Sequence, residues 1–220
     1  MSQPSSPTSV ITGAAGGIGA SLARRLAGQG HRIAAVDLSL ERAQALATSL
    51  GSGARGYGCD VSDAAQVEAL AAQVLADFDG IHMLFANAGV AIGGKLTETS
   101  GDEFRWLFDV NVLGAFQIIR AFIPALIEQG RAGASARVVL TGSENALGLP
   151  ETAEMTAYTA TKHAILAMAD GLRRDLAGTG VEVHVFCPGV VATRIWDGRA
   201  YRQQRYGGAA PASAEMAEKF

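Results

Sequence analysis

The sequence predicts a three-layer, doubly wound α/β fold around a mostly parallel six-stranded sheet. Three observations carry that expectation. Six short apolar, β-branched runs recur along the 220 residues, segments of helical periodicity separate most of them, and the runs themselves are hydrophobic almost without interruption. Strands joined by helical crossovers lie parallel and are covered on both faces, so both sets of alternating side chains are apolar, as in Val138-Val139-Leu140. With 49% hydrophobic and 18% charged residues, the chain can bury a continuous core without disulfides or metals. It is read as one domain over residues 1–220, with residues 1–7 as a flexible leader.

Taken in order, the expected strands cover residues 10–12, 32–37, 55–60, 81–87, 137–142 and 181–187. A helical pattern over 21–27 follows the first strand. Gly51 and Gly130 stand where helix C-termini favour left-handed backbone. Ser100 and Glu103 match a capping box at the start of a long helix over 102–129. Pro124 removes one backbone hydrogen bond from that helix and predicts a bend rather than two helices. Residues 130–136 form a Gly/Ala/Ser loop, and 209–219 read as a polar, Ala-rich tail. A seventh strand is not visible, which places strand 181–187 at the sheet edge, where a covering element is expected.

Charge and composition exclude several classes of partner. A net charge of -3 without a dense Lys/Arg block gives no footprint for nucleic acid or an anionic membrane. We expect no membrane-spanning run, and the N-terminus lacks a basic region followed by an apolar segment, so the cytoplasm is the expected location. Cys59 and Cys187 lack metal-site spacing and read as buried free thiols, so no metal is expected.

The first strand runs into Thr12-Gly13-Ala14-Ala15-Gly16-Gly17-Ile18-Gly19, directly before a helix. Glycines there let the backbone approach a pyrophosphate, and the helix N-terminus supplies amides and positive dipole. Asp37 closes the second strand about 20 residues on, where a carboxylate accepts from the adenosine ribose and repels a 2′-phosphate. The glycine turn carries no Arg or Lys and Leu38 follows Asp37, so NAD is favoured over NADP. Without a ligand, the same residues would be an ordinary turn and a strand-end cap. Tyr158 and Lys162, spaced i,i+4, share one helix face, and a close ammonium is expected to lower the phenol pKa toward a usable acid/base. Ser143, after the fifth strand, lies where open α/β sheets bind ligands.

The TGxxxGIG form of residues 12–19 resembles the signature of the short-chain dehydrogenase/reductase family, a Rossmann-type fold. Asn87-Ala88-Gly89 is similar to that family's NAG motif, and Asp60-Val61 to its adenine-ring contact. Ser143 and YxxxK follow in the same order, although the span between Ser143 and Tyr158 looks about two residues longer than the family pattern. The resemblance implies that Asn87 stabilises the central sheet, and that Asn111, in Asn111-Val112-Leu113-Gly114, interrupts its helix and holds a water in a proton relay to Lys162. It also implies that Pro188-Gly189-Val190-Val191-Ala192-Thr193 holds the nicotinamide, with the Val191 backbone and Thr193 hydroxyl on the carboxamide. The catalytic set is then Asn111, Ser143, Tyr158 and Lys162. The cofactor set is Gly13, Ala15, Gly17, Ile18, Gly19, Asp37, Asp60, Val61, Asn87, Ala88, Gly89, Tyr158, Lys162, Pro188, Gly189, Val191 and Thr193.

The resemblance covers roughly residues 8–194, and residues 194–220 read as a substrate loop and an atypical short tail. Trp196, Tyr201 and Tyr206 in that stretch either anchor the loop to its own domain or point to a bulky or aromatic alcohol or ketone, with Asn145, Leu147 and Leu149 added to the pocket. The expected activity is NAD-dependent interconversion of a secondary alcohol and a ketone. A noncatalytic NAD-binding regulator and a subunit completed by a partner chain are the alternatives. Family resemblance further implies a four-helix interface in a homodimer or homotetramer, formed by helices around 104–128 and 157–177.

Overall fold

A computed structural model describes residues 6–51, 53–148 and 154–211. Its sheet runs in the order β3-β2-β1-β4-β5-β6, with every pairing parallel. The strands are β1 (Thr8–Thr12), β2 (Arg32–Asp37), β3 (Ala54–Gly58), β4 (Met83–Ala86), β5 (Ala136–Thr141) and β6 (Val181–Phe186). The order reverses at β1, which pairs with β2 on one side and β4 on the other, so the C-terminal ends of these central strands open into a crevice.

The pleat sends alternate residues into two cores. Val10, Ala34, Val36, Leu84, Val138 and Leu140 pack under α3 (Ala64–Asp77), α5 (Gly114–Arg131) and α6 (Thr156–Asp175). Ile11, Ile33, Ala35 and Phe85 face the other way, toward Ala23 and Leu26 of α1 (Gly17–Gly28) and Leu46 of α2 (Leu40–Leu50). This double coverage is the physical origin of the unbroken apolar runs.

The predicted capping box is present at α4 (Gly101–Phe108): Ser100 accepts from the Glu103 amide at 3.2 Å, and Glu103 accepts from the Ser100 amide at 3.2 Å. Ser100→Ala is expected to destabilise the fold by about 1 kcal/mol, read as a lower urea midpoint at unchanged m-value. Gly51 has the expected positive φ, 94°. Gly130 does not end a helix. It lies inside α5, where an added Cβ would sit 2.6 Å from the Thr179 carbonyl oxygen, and Gly133 is the residue with positive φ, 78°. The glycine at 130 is required by close backbone approach rather than by chain reversal.

Helix α4 continues through a π-turn over Asp109–Leu113 into α5, with Pro124 inside α5. By length and composition Gly101–Arg131 is apolar enough to cross a membrane, contrary to the expectation that no such run exists. Here it is a core helix: Trp106, Leu107, Ile118, Phe122 and Leu126 are buried against the sheet and its neighbours. Cys59 is buried, and burial pushes its thiol up to about 12. Cys187 is only half-buried, because it follows the edge strand β6.

Candidate active site

The strand ends enclose a cleft of about 470 Å³. The glycine turn, the NAG segment, the YxxxK pair and the residues after β6 all reach it, although they are distant in sequence. Within the turn, Gly13 and Gly17 have positive φ, 64° and 48°, and a Cβ on Gly19 would lie 2.1 Å from the Gly13 carbonyl oxygen. Helix α1 begins at the cleft with Gly16 as N-cap, no side-chain cap and no acidic residue in its first turn. Its positive end is therefore uncompensated by the chain, and the backbone is bare enough for a diphosphate to approach.

Asp37 holds the glycine turn in place. Its carboxylate accepts from the Ala15 amide at 3.0 Å and from the Ser39 amide at 3.2 Å. Ala15 is thus engaged within the protein and does not line the cleft; its carbonyl accepts from Arg42 at 3.0 Å. Arg42 corrects the expectation that no cation stands near Asp37, since it reaches the same turn from α2 and lines the cleft. An arginine in a helix's first turn opposes the helix dipole, and that misplacement was the signal available in the sequence.

Asn87 binds the central strands together. Its backbone amide donates to Thr12 Oγ1 (3.0 Å), its side-chain amide donates to Thr12 O (2.9 Å), and its Oδ1 accepts from Thr141 (3.2 Å). Asn111 sits in the π-turn, where Oδ1 accepts from Val90 N at 2.8 Å and Nδ2 donates to Val90 O at 2.9 Å and Thr161 Oγ1 at 3.0 Å. It lies behind the cleft wall: a Cβ on Gly89 would be 3.3 Å from Asn111 Oδ1 and 3.6 Å from Lys162 Nζ. The helix interruption that the family resemblance implied is present at this asparagine.

Lys162 is 4% exposed, donates to Thr141 O at 2.9 Å and lies 5.5 Å from the centroid of the Tyr158 ring. Burial lowers its ammonium to about 8. Tyr158 departs from the expected direction: burial pushes its phenol above the ordinary value, and a hydrogen bond with the Ser143 hydroxyl works the other way. Desolvation of the phenolate outweighs the Ser143 hydrogen bond, so the phenol is held in its protonated form. Ser143 also accepts from the Asn145 amide at 3.2 Å.

The substrate-pocket expectations fare unevenly. Trp196 lines the cleft. Asn145 also lines it, but its side-chain amide turns to Thr159 Oγ1 (3.4 Å) and Met155 Sδ (3.8 Å), which orders the loop after β5. Leu147 is 71% exposed and outside the cleft lining, because the short 3-10 turn Glu144–Ala146 carries it outward. Leu149 lies outside the described residues. Asp60, Val61, Pro188, Gly189, Val191 and Thr193 all line the cleft, and the Thr193 methyl would be 3.0 Å from a Cβ on Gly17.

One feature missed at the sequence level is the path of residues 194–211, which fold back along the cleft. Glu103, already part of the capping box, pairs with Arg199 at 2.7 Å and Arg202 at 3.5 Å. Tyr206 donates to Asp109 at 2.9 Å, and Arg205 pairs with Asp60 at 2.8 Å. These partners are about 100 or more residues apart, a separation no local pattern reveals.

Fold and cleft together define a dinucleotide-binding α/β protein in which buried Ser143, Tyr158 and Lys162 converge on the cleft. Comparison with known proteins sharpens this. A family model described as short chain dehydrogenase matches residues 7–204. The chain is 38% identical over 196 residues to D-threitol dehydrogenase of Mycolicibacterium smegmatis, covering 86% of this chain and 73% of that protein. It is 38% identical over 194 residues to 1-deoxy-11-beta-hydroxypentalenate dehydrogenase of Streptomyces exfoliatus, covering 86% and 69%. A crystal structure of a short chain dehydrogenase/reductase from Burkholderia phymatum in complex with NAD superposes with a TM-score of 0.88 at 33% identity, covering 100% of this chain and 78% of that one. The chain belongs to the short-chain dehydrogenase/reductase family, nicotinamide-dependent oxidoreductases that act on CH–OH groups.

Proposed function

We propose that this protein interconverts a secondary alcohol and a ketone with NAD, and that Tyr158 is the general acid/base. The observation that carries the reading is the set gathered at the cleft: Ser143 on the Tyr158 phenol, Lys162 beside its ring, and Asn111 in its π-turn beyond Gly89. Bound nicotinamide supplies or accepts the hydride. Ser143 holds the substrate oxygen beside Tyr158, whose hydroxyl gives that oxygen its proton in reduction and takes it in oxidation. Lys162, positively charged below about 8, stabilises the phenolate left behind. A noncatalytic regulator has no use for this set.

Asp37 supports NAD, because a 2′-phosphate placed at the ribose would meet its carboxylate; Arg42 weakens that repulsion without removing it. Met155, Ile195 and Trp196 add apolar lining to the cleft, which supports a bulky or aromatic substrate. Exposed Phe104, Leu113 and Phe116 on the long helix support self-association through that face, as a homodimer or homotetramer. A cytoplasmic location completes the reading.

The test follows NADH absorbance over a panel of ring-bearing and small aliphatic secondary alcohols. NAD should exceed NADP in kcat/KM, and Asp37→Ala should shift the ratio toward NADP by about tenfold or more. A wild-type preference for NADP would overturn the role of Asp37. Binding of NAD without turnover of any alcohol would favour the regulator instead.

A further inference from the structure

Asp60 is the acceptor at the adenine end of the proposed cofactor site, and the inference below rests on that reading. Its carboxylate is already full. Oδ1 accepts from the Ser62 amide (3.1 Å) and hydroxyl (2.6 Å), and Oδ2 accepts from Gln203 Nε2 (2.9 Å) and from the Arg205 guanidinium (2.8 Å). A carboxylate offers about four lone-pair sites, and here each has a donor. The orientation of Gln203 is fixed independently: Trp106 Nε1 donates to its Oε1 at 3.1 Å, and an indole can only donate, so the amide nitrogen must face Asp60. Asp60, Val61 and Gln203 all line the cleft.

The 6-amino group of adenine is a donor. Brought to Asp60, it finds no vacant acceptor and meets the N–H groups of Gln203 and Arg205. A 6-oxo group in its place is an acceptor and faces those same donors. We infer that Gln203 and Arg205, by saturating Asp60, are specificity-determining residues that remove the site's preference for a purine 6-amino group, so that 6-oxopurine dinucleotides bind at least as well as NAD. Sites that accept a hydrogen bond from a ligand N–H otherwise reject analogues lacking it strongly.

The stretch carrying both residues has other anchors, Glu103 with Arg199 and Arg202 and Asp109 with Tyr206, so removing the Asp60 partners leaves it docked. The experiment titrates wild type and the Gln203→Ala/Arg205→Ala double variant with NADH and its hypoxanthine analogue, reading the reduced nicotinamide's own fluorescence. In the wild type the hypoxanthine analogue should bind as tightly as NADH, within about threefold, or more tightly. In the double variant, Oδ2 is freed to accept the adenine amino group, and NADH should be preferred by about tenfold or more. A tenfold preference for NADH already in the wild type, or an unchanged ratio in the variant, would overturn the inference while leaving the cofactor reading intact. Failure of the wild type to bind either dinucleotide would overturn the cofactor reading and the inference with it. Should the double variant not fold, Arg205→Ala alone, at a side chain 44% exposed, carries the test: the ratio should move toward NADH by about threefold or more, and no movement overturns the inference.

Discussion

Tyr158→Phe is expected to lower kcat by about a thousandfold while leaving the dissociation constant of NADH nearly unchanged. The ring stays, so the packing of a residue only 8% exposed is kept; only the hydroxyl proposed to carry the proton is lost. Burial holds the phenol in its protonated form, above its ordinary pKa. Turnover is read from NADH absorbance and binding from fluorescence titration. Retention of more than about a tenth of the wild-type kcat would remove Tyr158 from the chemistry.

Lys162→Met is expected to abolish measurable turnover and at the same time to stabilise the fold. The ammonium is buried and lowered from 10.5 to about 8, so the charged form is disfavoured in the native protein by about 3 kcal/mol. Methionine fills similar volume without charge. Loss of the 2.9 Å bond to Thr141 O offsets about 1 kcal/mol, leaving a net gain of about 2 kcal/mol at neutral pH. The pH dependence has a definite sign. Between about 8 and 10.5 the unfolded chain binds the lysine proton and the native protein does not, so wild-type stability rises with pH in that window. The advantage of the variant is therefore fully present below about 8 and shrinks above it. Urea unfolding at pH 7 and pH 9.5 reads both effects; a variant less stable than wild type at pH 7 would contradict the account.

The sheet was legible in the sequence because parallel strands buried twice leave continuous apolar runs, and all six appear within two residues of their expected ends. The glycine turn, NAG segment, Ser143 and YxxxK were legible because each joins a local backbone requirement to a chemical one. Gly130 misled for a physical reason. A glycine demanded by a neighbouring chain looks, in one dimension, the same as one demanded by a turn, and only the approach of Thr179 and Gly180 separates them. The phenol of Tyr158 misled as well, since spacing reveals the cation at i+4 but not the desolvation that raises the phenol. Arg42, Gln203 and Arg205 reach their partners across 27 to 145 residues, a separation that carries no periodic signature.

The π-turn at Asp109–Leu113 has a geometrical meaning for the whole helix. Each α-helical residue turns the chain by about 100°, so side chains spaced by four slip about 40° per step, whereas a π-turn takes in one residue more and cancels the slip. Leu107, Asn111 and Ala115 are spaced in that way, and all three point inward. The rod from Gly101 to Arg131 thus carries two angular phases joined at the asparagine. One aims Glu103 and Trp106 at the arginines and glutamine of residues 199–203, and the other aims Phe122 and Leu126 at the sheet. Removing one residue between 109 and 113 would rotate one phase against the other by about 100°. The clamp over the cleft and the asparagine behind it are therefore set by a single residue count.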